Sequence, residues 1–434
     1  MRNIVLALSV PSGPAASATI GGVNSPADSS DVRRRNLSLV LRHIAAHGPC
    51  ARTELAEATG LVHASISALT AELIGSGLVH EVGLASSGAR GRPRRLLELA
   101  PGRVLTIAVE VTATRVLCAA ADLDGTALWR REQEHGAEFG DPRPVARAVA
   151  EAVAQAVDAV HAGGRDRTQL ARLVLAVPGA VVEDEVVADS ILLGWRRVDL
   201  RALVQAEPKA PSCPINVVNE ANMAAFAEYR ALMDRTGSVP HVFAYLRGGD
   251  GIGGGLVVDG AVQTGGHGMA GEFGHIPVHF DGPACKCGDH GCLVTYLGLP
   301  ALLAAAGMEP PEGAGAEELA RGRAEFDRRL RGGDPAAVRA LETGARALAT
   351  ALTAVSRVAD PEQVVLGGRL ADWSDWLVPN VLRRLAGRRA VTPTDEPQIS
   401  TDLLGEDATL QGALRYGCET VLDDPTSVPL LTTA

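Results

Sequence analysis

Three of the chain's seven cysteines fall within eight positions, in "CKCGDHGC", and a histidine stands ten residues ahead of the first. Thiolate sulfur and imidazole nitrogen are the preferred donors of zinc, and four of them close a tetrahedron with no position left for water. Cys285, Cys287, Cys292 and His275 therefore predict a zinc ion that holds structure and activates no nucleophile. The alternative, three free thiols side by side, would oxidise readily. His279 and His290 share the stretch and read as solvated loop residues. The remaining cysteines, Cys50, Cys118, Cys213 and Cys418, are scattered, which argues against a disulfide framework and for a reducing cytoplasm.

A metal-stapled loop needs a scaffold, and the chain is long enough to supply one. At 434 residues, 46% hydrophobic and 21% charged, it predicts two or three globular domains. Aromatic residues make up only 3%, so Ala, Val and Leu must fill the cores. The amino end, "MRNIVLALSVPSGPAASA", has a short apolar run at the lower limit for a signal peptide and reads as a disordered leader. No stretch reaches transmembrane length. The net charge of −10 is uneven: nine arginines against six carboxylates give residues 31–100 a net +3, residues 1–30 balance, and the rest carries −13. A basic module on an acidic body places any nucleic acid at the front end, with no membrane partner.

That front module has the order of a winged helix-turn-helix. Leu37, Val40, Leu41 and Ile44 recur at helical spacing before Gly48-Pro49, "ARTELAEATG" is a short helix stopped by Gly60, and Leu61, Ile66, Leu69 and Leu73 line a third helix. "GLVHEVGLASSGARGRPRRLLEL" then reads as two strands around a basic loop. The third helix would present His63, Ser65 and Ser67 to DNA, none of them a bidentate reader of base edges. Arg90, Arg92 and Arg94 of the wing are better suited to a minor groove and its width.

From residue 103 strands alternate with helices, and glycine turns follow several strands, as in "HVFAYLRGGDGIGGGLVV" and "PEQVVLGGRLAD". Here "AGEFGHIPV" with "CKCGDHGCL", together with "NEAN", "GDGIGGGLV" and "VVLGG", resembles the ROK family of repressors and sugar kinases over residues 33–420, specifically its regulators with an N-terminal winged helix, such as the xylose and N-acetylglucosamine repressors. The resemblance implies an α/β fold: a winged helix followed by a two-lobed, actin/hexokinase-like (ribonuclease H-like) body with a sugar cleft between the lobes. The implied division is a leader at 1–30, the DNA-binding domain at 31–100, lobe 1 at 101–220, lobe 2 with the zinc site at 221–405, a helix at 406–424 returning to lobe 1, and a tail at 425–434.

The resemblance also implies roles in the cleft. Asn219, Glu220, Glu272 and His275 match positions that hold sugar hydroxyls. Where ROK kinases carry D-x-G-G-T, this chain has Glu110, then Thr112-Ala113-Thr114, so side chains stand where backbone N–H groups should approach phosphate. The kinases' catalytic aspartate in N-D-A-N is here Glu220, one methylene longer, and a family glutamate after the last cysteine is Val294. The expected function is a sugar-responsive regulator, most simply a repressor of carbohydrate genes, that binds operator DNA as a homodimer or homotetramer and has no catalytic residue. A pocket that binds no sugar and answers to a protein partner is the second reading. An ATP-dependent sugar kinase is the third.

Overall fold

The apolar residues of the first helical stretch, Leu37, Val40, Leu41 and Ile44, are all buried on one face of α1 (Ser29–His47). The computed structural model describes residues 29–85, 94–165, 168–183, 185–249, 251–308, 316–386, 398–428 and 430–431. Helix α1 begins at Ser29, inside the stretch assigned to a leader. After it come β1 (Cys50–Ala51), α2 (Arg52–Thr59) and α3 (His63–Gly75), then β2 (Val79–Ala85) and β3 (Arg94–Leu99). Ala51 cannot cap α2, and the Glu54 carboxylate instead accepts its N–H at 2.9 Å. Gly60, at φ 70, ends α2 in a conformation costly to any residue with a Cβ. The strands form a sheet in the order β1-β3-β2.

The body holds two five-stranded sheets of the same design. Lobe 1 contains β4 (Val104–Val111), β5 (Arg115–Asp122), β6 (Ala127–Glu134), α4 (Arg143–Ala162) and β7 (Gln169–Val177). A side sheet follows, of β8 (Ala180–Val182), β9 (Val186–Ser190) and β10 (Trp195–Val198), then α5 (Leu200–Gln205), β11 (Ile215–Asn219) and α6 (Glu220–Thr236). Lobe 2 contains β12 (Val242–Gly248), β13 (Ile252–Val258), β14 (Ala261–Gln263), the short helices α7 (Val294–Leu297) and α8 (Leu299–Ala305), α9 (Ala316–Arg331) and α10 (Pro335–Val358). It ends with β15 (Gln363–Gly368), α11 (Arg369–Asp372), α12 (Ser374–Leu385), β16 (Gln398–Thr401) and α13 (Ala408–Asp423).

The sheet orders are β11-β7-β4-β5-β6 and β14-β13-β12-β15-β16. In each, three antiparallel strands are extended by two parallel ones beside the first, so the lobes repeat one topology. Strand β4 is buried along its whole length, as a central strand covered on both faces must be. Helix α4 covers one face through Val145, Val149, Val153 and Val160. Helix α13 returns from lobe 2 to cover the other, packing on β4, β7 and α6. In lobe 2, Leu341, Leu348, Leu352 and Val355 of α10 fill the core with Leu246, Val364 and Leu366. Glu220, assigned from sequence to the end of lobe 1, is the first residue of α6, and that helix also packs on β12 and β13. Among the described residues no helix is long and apolar enough to cross a membrane.

Candidate functional site

Residues 276–293 fold back on themselves through bridges between Pro277 and Cys292 and between Ala284 and His290. Gly291 lies so close to the His279 carbonyl that an added Cβ would fall 1.7 Å from its oxygen. This closure brings His275, at the end of a 3-10 turn, to Cys285, Cys287 and Cys292, with all four donor atoms within 4.8 Å of one another. Cys285 Sγ lies 3.6 Å from His275 Nδ1, and the Cys287 and Cys292 sulfurs are 3.7 Å apart. Donors bonded at about 2.3 Å to one tetrahedral ion would be separated by about 3.8 Å, so the set can hold a metal ion. Burial, then the adjacent thiols, pushes the Cys292 thiol up to about 12, and burial lowers the His275 imidazole. A dication would remove the thiol protons that this crowding otherwise retains. His279 and His290 stand outside the cluster.

The 3-10 turn that delivers His275 also carries Glu272 at its start. It sits on β13, whose Gly254 permits the contact: a Cβ there would fall 2.4 Å from the Phe273 ring. Gly255 does the same for α6, where an added Cβ would meet the Ala225 Cβ at 2.6 Å. Gly254 and Gly255 of "GDGIGGG" are thus required by packing. On the other wall, Asn219 caps α6: its Oδ1 accepts the Asn222 N–H at 2.9 Å, and its Nδ2 donates to the Gly179 carbonyl at 2.8 Å. Much of its polar capacity is therefore spent on structure.

Glu220 differs. Its Oε2 is shielded from solvent and has no partner, and Asn222 Oδ1 is in the same condition. Burial raises the Glu220 carboxyl to about 7; Arg247 opposes this, and the charges of Glu110 and Glu272 add to it. Glu272 is also raised, by burial first and then by Asp189. A buried Glu220 oxygen short of a partner, with Glu272 near enough for its charge to act on it, suits a ligand that offers hydroxyl donors.

Sequence reasoning missed what holds Glu110. This residue is buried at 6% exposure, and Arg247 of β12 reaches across from the other lobe to 3.6 Å. Arg247 also donates to Thr409 Oγ1 at 2.9 Å, and that hydroxyl lies 3.3 Å from the Glu220 carbonyl. Burial works against the Arg247 cation, but Glu110 and Glu220 outweigh it and hold its pKa above the ordinary value. The Glu110 carboxyl stays raised, because its burial outweighs Arg247. The turn after β4 is closed on itself: Thr112 Oγ1 accepts the N–H groups of Arg115 at 3.0 Å and Thr114 at 3.4 Å, and Thr112 N–H donates to the Arg115 carbonyl at 2.9 Å. The N–H groups of Thr112, Thr114 and Arg115 are therefore engaged within the turn.

On the winged helix, α3 exposes His63 and Ser67, and Ser65 is half-buried. Val62 precedes α3 with no capping bond from its side chain. Ser67 donates to the His63 carbonyl at 2.9 Å. Arg95 pairs with Glu81 of β2. Arg90 and Arg92 lie outside the described residues; the backbone of Arg94 opens β3, and its side chain lies outside them as well.

The model of the ROK family matches residues 106–416, well over half of the chain. The chain belongs to the ROK family. The ROK match begins within β4 and ends within α13, so it spans both lobes and leaves the winged helix in front of it. Relatives include the xylose repressor of Bacillus spizizenii, 27% identical over 64% of this chain and 69% of the repressor. Kanosamine kinase of Amycolatopsis mediterranei is 33% identical over 57% of this chain and 77% of the kinase. A solved ROK family transcriptional regulator, a homolog of the E. coli MLC protein, matches 92% of this chain and 99% of its own with a TM-score of 0.74. At 22% identity that match is one of fold, and at 92% of the chain it reaches into the winged helix. Repressors and kinases both stand among the ROK relatives of this chain.

Proposed function

We propose that this ROK protein is a cytoplasmic, sugar-responsive DNA-binding repressor of carbohydrate genes and catalyses no phosphoryl transfer. The observation that carries the reading is the winged helix in front of a ROK body, with which it shares one core: Leu37, Val40 and Leu41 pack with Val421, Leu422 and Val428. The xylose repressors among its relatives support the repressor assignment. A sugar would bind between Glu220 and Glu272, with Asn219 and His275 completing the wall. Glu220 and Glu272 would accept hydroxyl hydrogen bonds, and zinc on His275, Cys285, Cys287 and Cys292 would fix the turn that presents Glu272.

Two observations speak against a kinase. Phosphoryl transfer depends on backbone and metal ions cradling phosphate. Here Glu110, at the position of the phosphate loop's aspartate, is taken by Arg247, and the turn beside it has turned N–H groups inward. Operator binding would lie with His63, Ser65 and Ser67 for close fit and with Arg90, Arg92 and Arg94 for phosphate and groove contacts, in a homodimer or homotetramer.

Selection of duplexes from a random DNA pool, followed by anisotropy titration with and without sugars, tests the proposal beside an ATP-consumption assay on the same sugars. Sequence-selective binding that a sugar changes, with no ATP turnover, is the expected outcome. Steady sugar phosphorylation would refute it. Val294, partly buried near Gly251 where the family places a glutamate, favours a second reading in which a protein partner replaces the sugar. A body whose melting temperature no sugar raises would support that reading.

A further inference from the structure

Glu419 of α13 is a single carboxylate among three arginines. It lies 3.0 Å from Arg230 of α6, 3.4 Å from Arg415 one turn earlier in its own helix, and 4.0 Å from Arg42 of α1. Asp423, one turn further on, holds Arg42 at 2.6 Å, and Asp234 of α6 holds Arg415 at 3.3 Å. The side chains of Arg230 and Arg415 are only 8% and 4% exposed. Three cations and three carboxylates balance, and the two shielded arginines, Arg230 and Arg415, are both held by Glu419. The network therefore fixes α6, α13 and α1 relative to one another.

Packing makes the same connection at both ends of α13. Near its start, Gly412 lies against α6 so closely that a Cβ would fall 1.9 Å from the Met223 carbonyl oxygen. Beyond its end, Pro425–Ser427 forms a 3-10 turn and Val428 enters the winged-helix core. The Leu431 N–H then donates to the carbonyl of Gly75, the last residue of α3, at 3.1 Å, and its side chain covers Gly77. The described residues of the stretch expected to be a tail thus reach the winged-helix core through Val428 and the end of α3 through Leu431.

We propose that α13 and the segment after it carry the state of the cleft to α3, with the Arg230–Glu419–Arg42 network as the joint. The inference rests on the sugar-responsive reading. Helix α6 starts at Glu220 in the cleft and ends among Arg230 and Asp234. Helix α13 has Thr409 at its start, by the Glu220 carbonyl, and packs on α1, while Leu431 of the segment after it reaches the close of α3. A shift of α6 on ligand binding must carry α13, and α13 cannot move without α1. Ligand and operator affinities are linked to the extent that each prefers one placement of this unit.

The test breaks the joint away from both sites. Arg42→Glu sets a third carboxylate against Glu419 and Asp423, and the exchange R42E/D423R restores opposite charges. Neither position faces the cleft or the exposed side of α3. The factor by which D-glucose, D-xylose or D-glucosamine weakens binding to a selected operator duplex is measured by anisotropy for each protein. Where the wild-type factor is at least about fivefold, as allosteric coupling usually is, R42E brings it to within about twofold of unity. Sugar and operator affinities measured separately stay within about threefold of wild type, and the exchange recovers most of the coupling. Should R42E melt well below wild type, Asp423→Asn replaces it at a position 62% exposed, with a partial loss expected. Full coupling in the variants overturns the inference and leaves the function standing. A wild type whose operator affinity no sugar changes overturns the function, and the inference with it.

Discussion

Arg247→Met removes the cation that spans the two lobes and keeps most of its apolar stem. Glu110 is then a buried carboxylate with no counter-ion, since Arg247 is the ion-pair partner seen for it among the described residues. Breaking a buried pair from one side costs about 3–5 kcal/mol. The Arg247 side chain is 24% exposed and that of Glu110 8%, so solvent relieves part of this, and about 2–3 kcal/mol is expected at pH 7. The sign with pH follows from the direction of the shift. In the folded chain the Glu110 carboxyl already titrates above its ordinary value, because burial outweighs Arg247. Over that window the native state holds a proton that the unfolded chain has released, and stability falls as pH rises. Loss of Arg247 pushes the carboxyl higher and widens the window upward, so the variant's deficit is largest near pH 7 and shrinks towards pH 5. Urea unfolding at both pH values, repeated on Glu110→Gln and the double variant, measures this. The double variant should recover at least about 1 kcal/mol over the sum of the single effects, the scale of coupling between touching residues. A deficit that is the same at both pH values, with additive single effects, would show that Glu110 and Arg247 do not act as a pair.

Metal analysis should find about one zinc per chain, and Cys287→Ser should lower metal content and melting temperature together; carefully purified protein free of zinc would contradict the tetrahedral site. Glu272→Ala should abolish the response to sugar while operator affinity and zinc content stay near wild type, read by anisotropy and metal analysis. Arg92→Ala with Arg94→Ala should flatten the slope of log affinity against log salt by about two, one released counter-ion for each lost phosphate contact. Val294→Glu should tighten binding of an ordinary hexose by up to about tenfold in calorimetry, the scale of one net hydrogen bond.

Local patterns in the chain carried much of the architecture. Leu37, Val40, Leu41 and Ile44 mark α1 because one helical face is buried, and glycine turns after strands mark the α/β body. The Cys/His cluster was legible because its four members lie within 18 residues and donor chemistry limits the choice of metal. The tie between Glu110 and Arg247 was not legible: the two sit on strands of different lobes, and nothing periodic links them. The closed turn at Thr112 was half legible, since the missing glycines were visible but the capture of N–H groups by a hydroxyl was not. The role of the last residues was hidden for a similar reason. Val428 and Leu431 look like a polar tail's stray hydrophobes until the fold sets them against α1 and α3.

The central claim is that one chain binds operator DNA and a sugar in a linked equilibrium. Linkage demands that the factor by which a sugar changes operator affinity equal the factor by which the operator changes sugar affinity. Calorimetric titration of the sugar into free and operator-bound protein, set beside the anisotropy series, measures both factors. Equal factors well above one are the predicted result. Two factors of one, with both ligands bound, would contradict the account.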